Sequence, residues 1–94
     1  MSLENLTTQL QQTITAGIGH VVKINLTGDG IIILEADGNI HNNDKDADVT
    51  LTMTTDTLDG MLAGDIDPQM AFMSGKLQID GDMSLALKLG DIFS

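Results

Sequence analysis

The chain has 94 residues with a hydrophobic content of 41%, and 14 acidic residues against four basic ones give a net charge of −10. A chain of this length buries roughly 60–65% of its unfolded surface, so we expect one domain, residues 1–94, around one core. The absence of Cys excludes disulfides and zinc–thiolate sites. The acidic balance and the presence of only two aromatic residues disfavour nucleic acid and anionic lipid surfaces as partners.

Membrane and export signals are missing from the sequence. No stretch approaches the ~18 consecutive apolar residues of a membrane span, and the first ten residues, MSLENLTTQL, lack the basic start and apolar centre of a signal peptide. We therefore expect a cytoplasmic protein that does not insert stably into a membrane.

The first predicted element is an amphipathic helix. Its apolar residues recur at spacings of three and four, the period of one helix face, at Leu3, Leu6, Leu10 and Ile14. We expect Ser2 to cap this helix and Gly17 to end it.

The next elements have the period of two that is typical of half-buried strands. A first strand follows His20, with Val22, Ile24 and Leu26 on one face. The turn TGDG at 27–30 leads into a second strand, IIILEA, which predicts a hairpin. A short third strand is expected around Ile40.

After the polar loop NNDKDAD, residues 49–53 predict a fourth strand, in which Val, Leu and Met alternate with Thr. This alternation suits an antiparallel sheet with one solvated face.

The pattern then becomes helical. We expect Thr55 or Asp56 to cap a short helix that stops at Gly64, and Asp67 with Pro68 to begin another that ends at Gly75. A fifth strand is predicted over 76–80. A last helix, capped by Asp82, should run from Met83 to about Ile92.

The last helix is apolar around most of its circumference, because only Ser84, Lys88 and Asp91 share a narrow polar sector. It must therefore be covered on more than one side, as a core helix, a cavity wall or a subunit interface. Four of the six methionines fall between residues 61 and 83. Their flexible thioethers suit either an adaptable apolar surface or the filling of a core.

Motifs for metal binding or catalysis are weak. DKDAD at 44–48 spaces three carboxylates like a calcium loop, but Val49 and Thr55 stand where Gly and a bidentate Glu are needed. His20 and His41 have no Ser or Cys motif beside them. We expect no metal, no cofactor and no catalysis.

One continuous segment, DADVTLTMTTDTLDGMLAGDIDPQMAFMSGKLQIDGDMSLALKL at 46–89, resembles the second half of the sterol carrier protein type 2 domain. The order of the hairpin and the short third strand is also similar to that of the family. The resemblance implies an α/β (α+β) fold in which a five-stranded, largely antiparallel sheet is covered on one side by helices and encloses an apolar tunnel. The C-terminal DIFS differs from the small-basic-Leu address of peroxisomal members.

The matched motif positions imply which residues line the tunnel: Leu58, Leu62, Met70, Phe72, Met73, Ile79, Met83, Leu87 and Leu89. The implied function is that of a non-enzymatic carrier for a hydrophobic small molecule: a fatty acyl chain, an acyl-CoA, a sterol or a polyprenyl lipid. The alternative is an interaction module whose apolar face docks a partner protein or a second copy of the chain.

Overall fold

The computed structural model describes residues 3–13 and 19–93, with side chains described for 3–12 and 19–88. Ser2, Ile14 and Gly17, which the sequence assigns to the first helix and its ends, lie outside the described residues. In chain order the elements are α1 (Leu3–Thr13), β1 (Val22–Leu26), β2 (Gly30–Leu34), β3 (Ile40–His41), β4 (Val49–Met53), α2 (Thr55–Ala63), α3 (Pro68–Met73), β5 (Gln78–Gly81) and α4 (Met83–Phe93).

The strands form one five-stranded sheet in the order β3-β2-β1-β4-β5. The expected α/β class and largely antiparallel sheet are confirmed, with one exception: β4 lies parallel to β1, with Ile24 opposite Leu51. Alternation of apolar residues is the same in parallel and antiparallel strands, so the sequence alone does not reveal this pairing.

The core lies between one face of the sheet and the helices. Alternate strand residues, such as Ile24 and Leu51, are buried together with residues from every helix, among them Leu6, Leu58 and Leu85. Lys23, Asn25, Thr50 and Thr52 lie on the opposite face and are half-exposed. The expected arrangement, with helices covering one side of the sheet, is therefore confirmed.

Ile33 is an exception on that second face, because it is fully buried without belonging to the core. Its register partners are Lys23 on β1 and His41 on β3. The loop after β3 is drawn towards the same face, since the Lys23 ammonium lies 2.7 Å from the Asp44 carboxylate.

The start of α2 differs from the expectation. The helix is capped by Thr54, whose hydroxyl accepts a hydrogen bond from the backbone N–H of Thr57, and not by Thr55 or Asp56. Thr55 instead donates to the Asp29 carboxylate in the turn after β1. Three adjacent residues can all act as caps, so local preference alone does not decide between them.

The end of α2 and the start of α3 follow their local signals. Gly64 ends α2 in the left-handed conformation, with φ of 84°, and Asp67 caps α3 with Pro68 in its first turn. The prediction that α3 continues to Gly75 is wrong by two residues. The amides of Lys76 and Leu77 both donate to the Ala71 carbonyl. The chain after α3 is therefore held in a turn, and β5 begins at Gln78, two residues later than expected.

In the described part of the chain, no helix is long and apolar enough to cross a membrane.

Candidate functional site

Helices α3 and α4 carry a set of exposed apolar side chains, which we call the apolar face: Met70, Phe72, Met73, Met83 and Leu87. Met73 is 73% exposed and Leu87 is 69% exposed. The two helices contact each other. Single exposed apolar residues are common on protein surfaces, but a group on two adjacent helices is typical of a binding surface.

The geometry of the two helices explains this exposure. In α3 only Ala71 is buried, because a six-residue helix presents little more than one side to the core. Among the α4 side chains that the structure describes, residues 83–88, Leu85 is buried, while Met83 and Leu87 lie four residues apart and share the outer side. The apolar residues of both helices thus exceed what the core can cover.

The nine predicted lining residues fall into three groups. Five form the apolar face. Leu58 is fully buried in the core, while Leu62 and Ile79 are half-buried against it. The side chain of Leu89 lies outside the described residues. A shared role for the nine in enclosing a ligand stays a prediction.

A separate cleft of about 450 Å³ lies where β1 and β4 end and β5 begins. None of the nine predicted lining residues contributes to it. Its walls combine polar and apolar surface and come from four threonines, one amide, two charged side chains, a glycine and two apolar residues: Thr27, Thr52, Thr54, Thr57, Gln78, Asp56, Lys76, Gly75, Met53 and Ile66.

Sequence reasoning missed this cleft, because its residues come from four separate segments of the chain. The only local signal is the row of threonines in and after the fourth strand, which predicts a solvated sheet face equally well. Among the described residues, Lys76 is the only cation that lines the cleft and Asp56 the only anion. Lys76 makes no salt bridge with any residue that the structure describes.

The strongest polar cluster lies at the opposite edge of the sheet, around Glu35. His41 Nε2 lies 2.7 Å and Lys45 Nζ lies 2.8 Å from the two Glu35 carboxylate oxygens. The hydrogen bond from Lys45, and then that from His41, lowers the pKa of Glu35 below its usual value.

In this cluster, His41 has no free ring nitrogen that could act as a base. His41 Nδ1 accepts a hydrogen bond from the Asn43 backbone N–H, so in neutral His41 the proton is on Nε2, which donates to Glu35. Both ring nitrogens are therefore engaged. His20 is exposed, with Nδ1 3.6 Å from the Asp48 carboxylate. Within residues 3–12 and 19–88, no group of three metal-ligating side chains is arranged to hold a metal ion.

The chain matches the model of the SCP-2 sterol transfer family over residues 3–94. This match covers nearly the whole sequence. The chain therefore belongs to the SCP-2 sterol transfer family, as the motifs in its second half indicate.

A curated relative is similar to about half of this chain. The human hydroxysteroid dehydrogenase-like protein 2 is 58% identical over 43 residues, which are 46% of this chain and 10% of that protein. The chain thus spans about one tenth of the length of this curated relative.

Solved structures show the same fold. The crystal structure of sterol carrier protein 2 like 2 from Aedes aegypti has a TM-score of 0.84 at 20% identity, and the match covers 97% of this chain and 95% of that one. A solution structure shows sterol carrier protein 2 from the same mosquito in complex with the C16 fatty acid palmitate. It has a TM-score of 0.82 at 20% identity, and the match covers 100% of this chain and 97% of that one.

Proposed function

We propose that this protein is a non-enzymatic lipid carrier that binds a fatty acyl chain, an acyl-CoA, a sterol or a polyprenyl lipid. The observation that carries the proposal is the apolar face, whose five members all belong to the set that the family motifs imply as lining. Residues 1–94 would act together as one lipid-binding domain. The palmitate bound by the mosquito protein of the same fold supports a fatty acyl ligand.

The energetics of the apolar face favour a ligand. Full burial of one large apolar side chain contributes roughly 1.5–3 kcal/mol. The five side chains are 44–73% exposed, so covering all of them is equivalent to about three full burials and would contribute about 4–9 kcal/mol, before the cost of immobilising the ligand. Micromolar affinity corresponds to about 8 kcal/mol, so we expect acyl chains to bind in this range.

The ligand chain would lie between the apolar face and the edge of the core. Leu62 and Ile79 are half-buried there and would become covered. In the loaded protein, α3 and α4 would close over the chain and turn the apolar face inwards, which forms a tunnel. Leu58 and Leu89 would complete its lining.

Displacement of a fluorescent fatty acid tests this proposal, and the absence of Trp removes interfering protein fluorescence. Saturable binding with a micromolar dissociation constant is expected. Phe72→Asp should abolish binding, because it places a charge on the apolar face. Gln69→Asp is the matched control: it adds the same charge to an exposed polar position of α3 and should leave binding intact.

Two results would contradict the proposal. If no acyl, sterol or polyprenyl probe binds saturably, the protein is not a lipid carrier. If native mass spectrometry then shows a tight dimer without bound lipid, the apolar face serves self-association. If folded Phe72→Asp binds as wild type does, Phe72 lies outside the site.

A further inference from the structure

We propose that the cleft at the start of α2 holds the anionic headgroup of the lipid, with the Lys76 ammonium as its counter-ion. A carboxylate and a phosphate share the required chemistry, which is a negatively charged group with several oxygen acceptors. This inference rests on the proposed lipid-binding function and adds a site for the polar end of the ligand.

The lysines differ in whether they form ion pairs within the protein. Lys23 and Lys45 are neutralised within the protein by Asp44 and Glu35. Lys76 makes no ion pair with the described residues, yet it lines a concave site. Its backbone N–H donates to the Ala71 carbonyl at 2.9 Å, so the base of the side chain is held in place.

The second charge in the cleft is the carboxylate of Asp56. Asp56 also lines it but lies in the first turn of α2, where the positive end of the helix dipole favours a carboxylate. Part of the Asp56 charge is thus balanced by its own helix. Lys76 has no such balancing group and attracts an anion.

The lining of the cleft is amphiphilic. The hydroxyls of Thr27 and Thr52 and the amide of Gln78 offer donors to oxygen atoms. Met53 and Ile66 line the same cleft, and Met53 belongs to the core while Ile66 packs against it. If a headgroup binds at Lys76, the first part of its apolar chain would therefore run towards the layer between the sheet and α2. The volume of about 450 Å³ is within the range of small-molecule sites.

The test compares three ligands with the same twelve-carbon chain: laurate, dodecyl phosphate and 1-dodecanol. Calorimetric titration below the micellar concentration gives each dissociation constant. Lys76→Gln should weaken laurate or dodecyl phosphate about fivefold, the effect of a partly exposed ion pair, and leave dodecanol within about twofold. Lys88→Gln is the matched control, because Lys88 is exposed, also makes no ion pair with the described residues, and does not line the cleft.

The anion whose affinity falls in Lys76→Gln identifies the headgroup. A loss of affinity for laurate alone indicates a carboxylate, and a larger loss of affinity for dodecyl phosphate indicates a phosphate. A reciprocal variant tests the same charge balance. Asp56→Asn should tighten binding of that anion about threefold, because it removes a repulsive charge of the size seen in partly exposed pairs. Asp59→Asn, on the same helix but outside the cleft lining, should not change it.

The outcomes separate this inference from the proposed function. If wild type binds all three ligands and Lys76→Gln changes them equally or not at all, the headgroup site is wrong and the lipid carrier stands. An equal effect of Lys88→Gln would overturn the site as well, because it would show only a general charge effect. If wild type binds none of the ligands, both proposals fail.

Discussion

The carboxylate of Asp82 accepts a hydrogen bond from the backbone N–H of Ser84 at 2.8 Å. This contact caps the start of α4, as the sequence predicts. The Asp82 amide also approaches the Asp48 carbonyl at 3.3 Å. One residue thus joins the end of β5, the start of β4 and the helix that carries Met83 and Leu87.

Replacing this cap should destabilise the protein. Asp82→Ala is expected to lower the free energy of unfolding by about 1 kcal/mol, because the amide at the start of α4 loses its acceptor. Asp82→Asn, which keeps an acceptor oxygen, should retain most of the stability. Urea unfolding measures both variants, and equal midpoints for wild type and Asp82→Ala would show that the cap contributes nothing.

Gly81 should be intolerant of a side chain. Its φ of +119° is unfavourable for other residues, and a Cβ there would lie 2.5 Å from the Asp48 carbonyl oxygen and 2.9 Å from Val49 Cα. We expect Gly81→Ala to cost at least about 2 kcal/mol of unfolding free energy, since backbone strain adds to the clash. Chemical denaturation gives this value.

Gly28→Ala is the control for Gly81, because Gly28 also has a positive φ, of +84°, but nothing lies within 4 Å of the added Cβ. Gly28→Ala should lower the free energy of unfolding by about 1 kcal/mol, because of backbone strain alone. Equal losses for the two variants would mean that close approach to β4 is unimportant.

Truncation to Ala should affect mainly stability at Leu58 and mainly acyl-chain binding at Leu87. Leu58 is fully buried, so Leu58→Ala should lower the free energy of unfolding by about 2–5 kcal/mol. Leu87 is 69% exposed, so Leu87→Ala should change stability by less than about 0.5 kcal/mol while it weakens acyl-chain binding. Denaturation and ligand displacement on both variants check this. A large stability loss for Leu87→Ala would assign it to the fold instead of the binding surface.

The Glu35 cluster predicts a pH dependence of stability. Because hydrogen bonds from Lys45 and His41 lower the pKa of Glu35 in the folded protein, ionised Glu35 stabilises the fold above its unfolded value of about 4.5. This contribution should be lost as the pH falls through the lowered folded pKa. Glu35→Gln should therefore melt at a lower temperature than wild type at pH 7, and the difference should shrink by pH 3.

Asp46→Asn is the control for Glu35, because Asp46 is exposed and has no salt bridge within the described residues. Its melting temperature should differ little from that of wild type at either pH. A Glu35→Gln difference that persists unchanged at pH 3 would contradict the role of the ionised carboxylate.

Local patterns in the sequence are sufficient to predict most helices and strands and several of the residues at which helices begin or end. The alternation in β1 and β4 identifies their buried faces, because side chains of a strand point to opposite sides in turn. Gly64 and the pair Asp67–Pro68 mark helix ends because their conformational preferences act within a few residues. The residues of the apolar face were predicted from family motifs, and their role in lipid binding stays a prediction.

Other features were decided only by tertiary structure. The parallel pairing of β1 with β4 depends on how the chain returns to the sheet after β3, and the choice of Thr54 as cap goes with a contact between Thr55 and Asp29, 26 positions apart. The cleft around Lys76 forms only when the ends of three strands meet the start of α2. The reason is physical: secondary structure follows from interactions between near neighbours, whereas a site depends on which distant segments pack together.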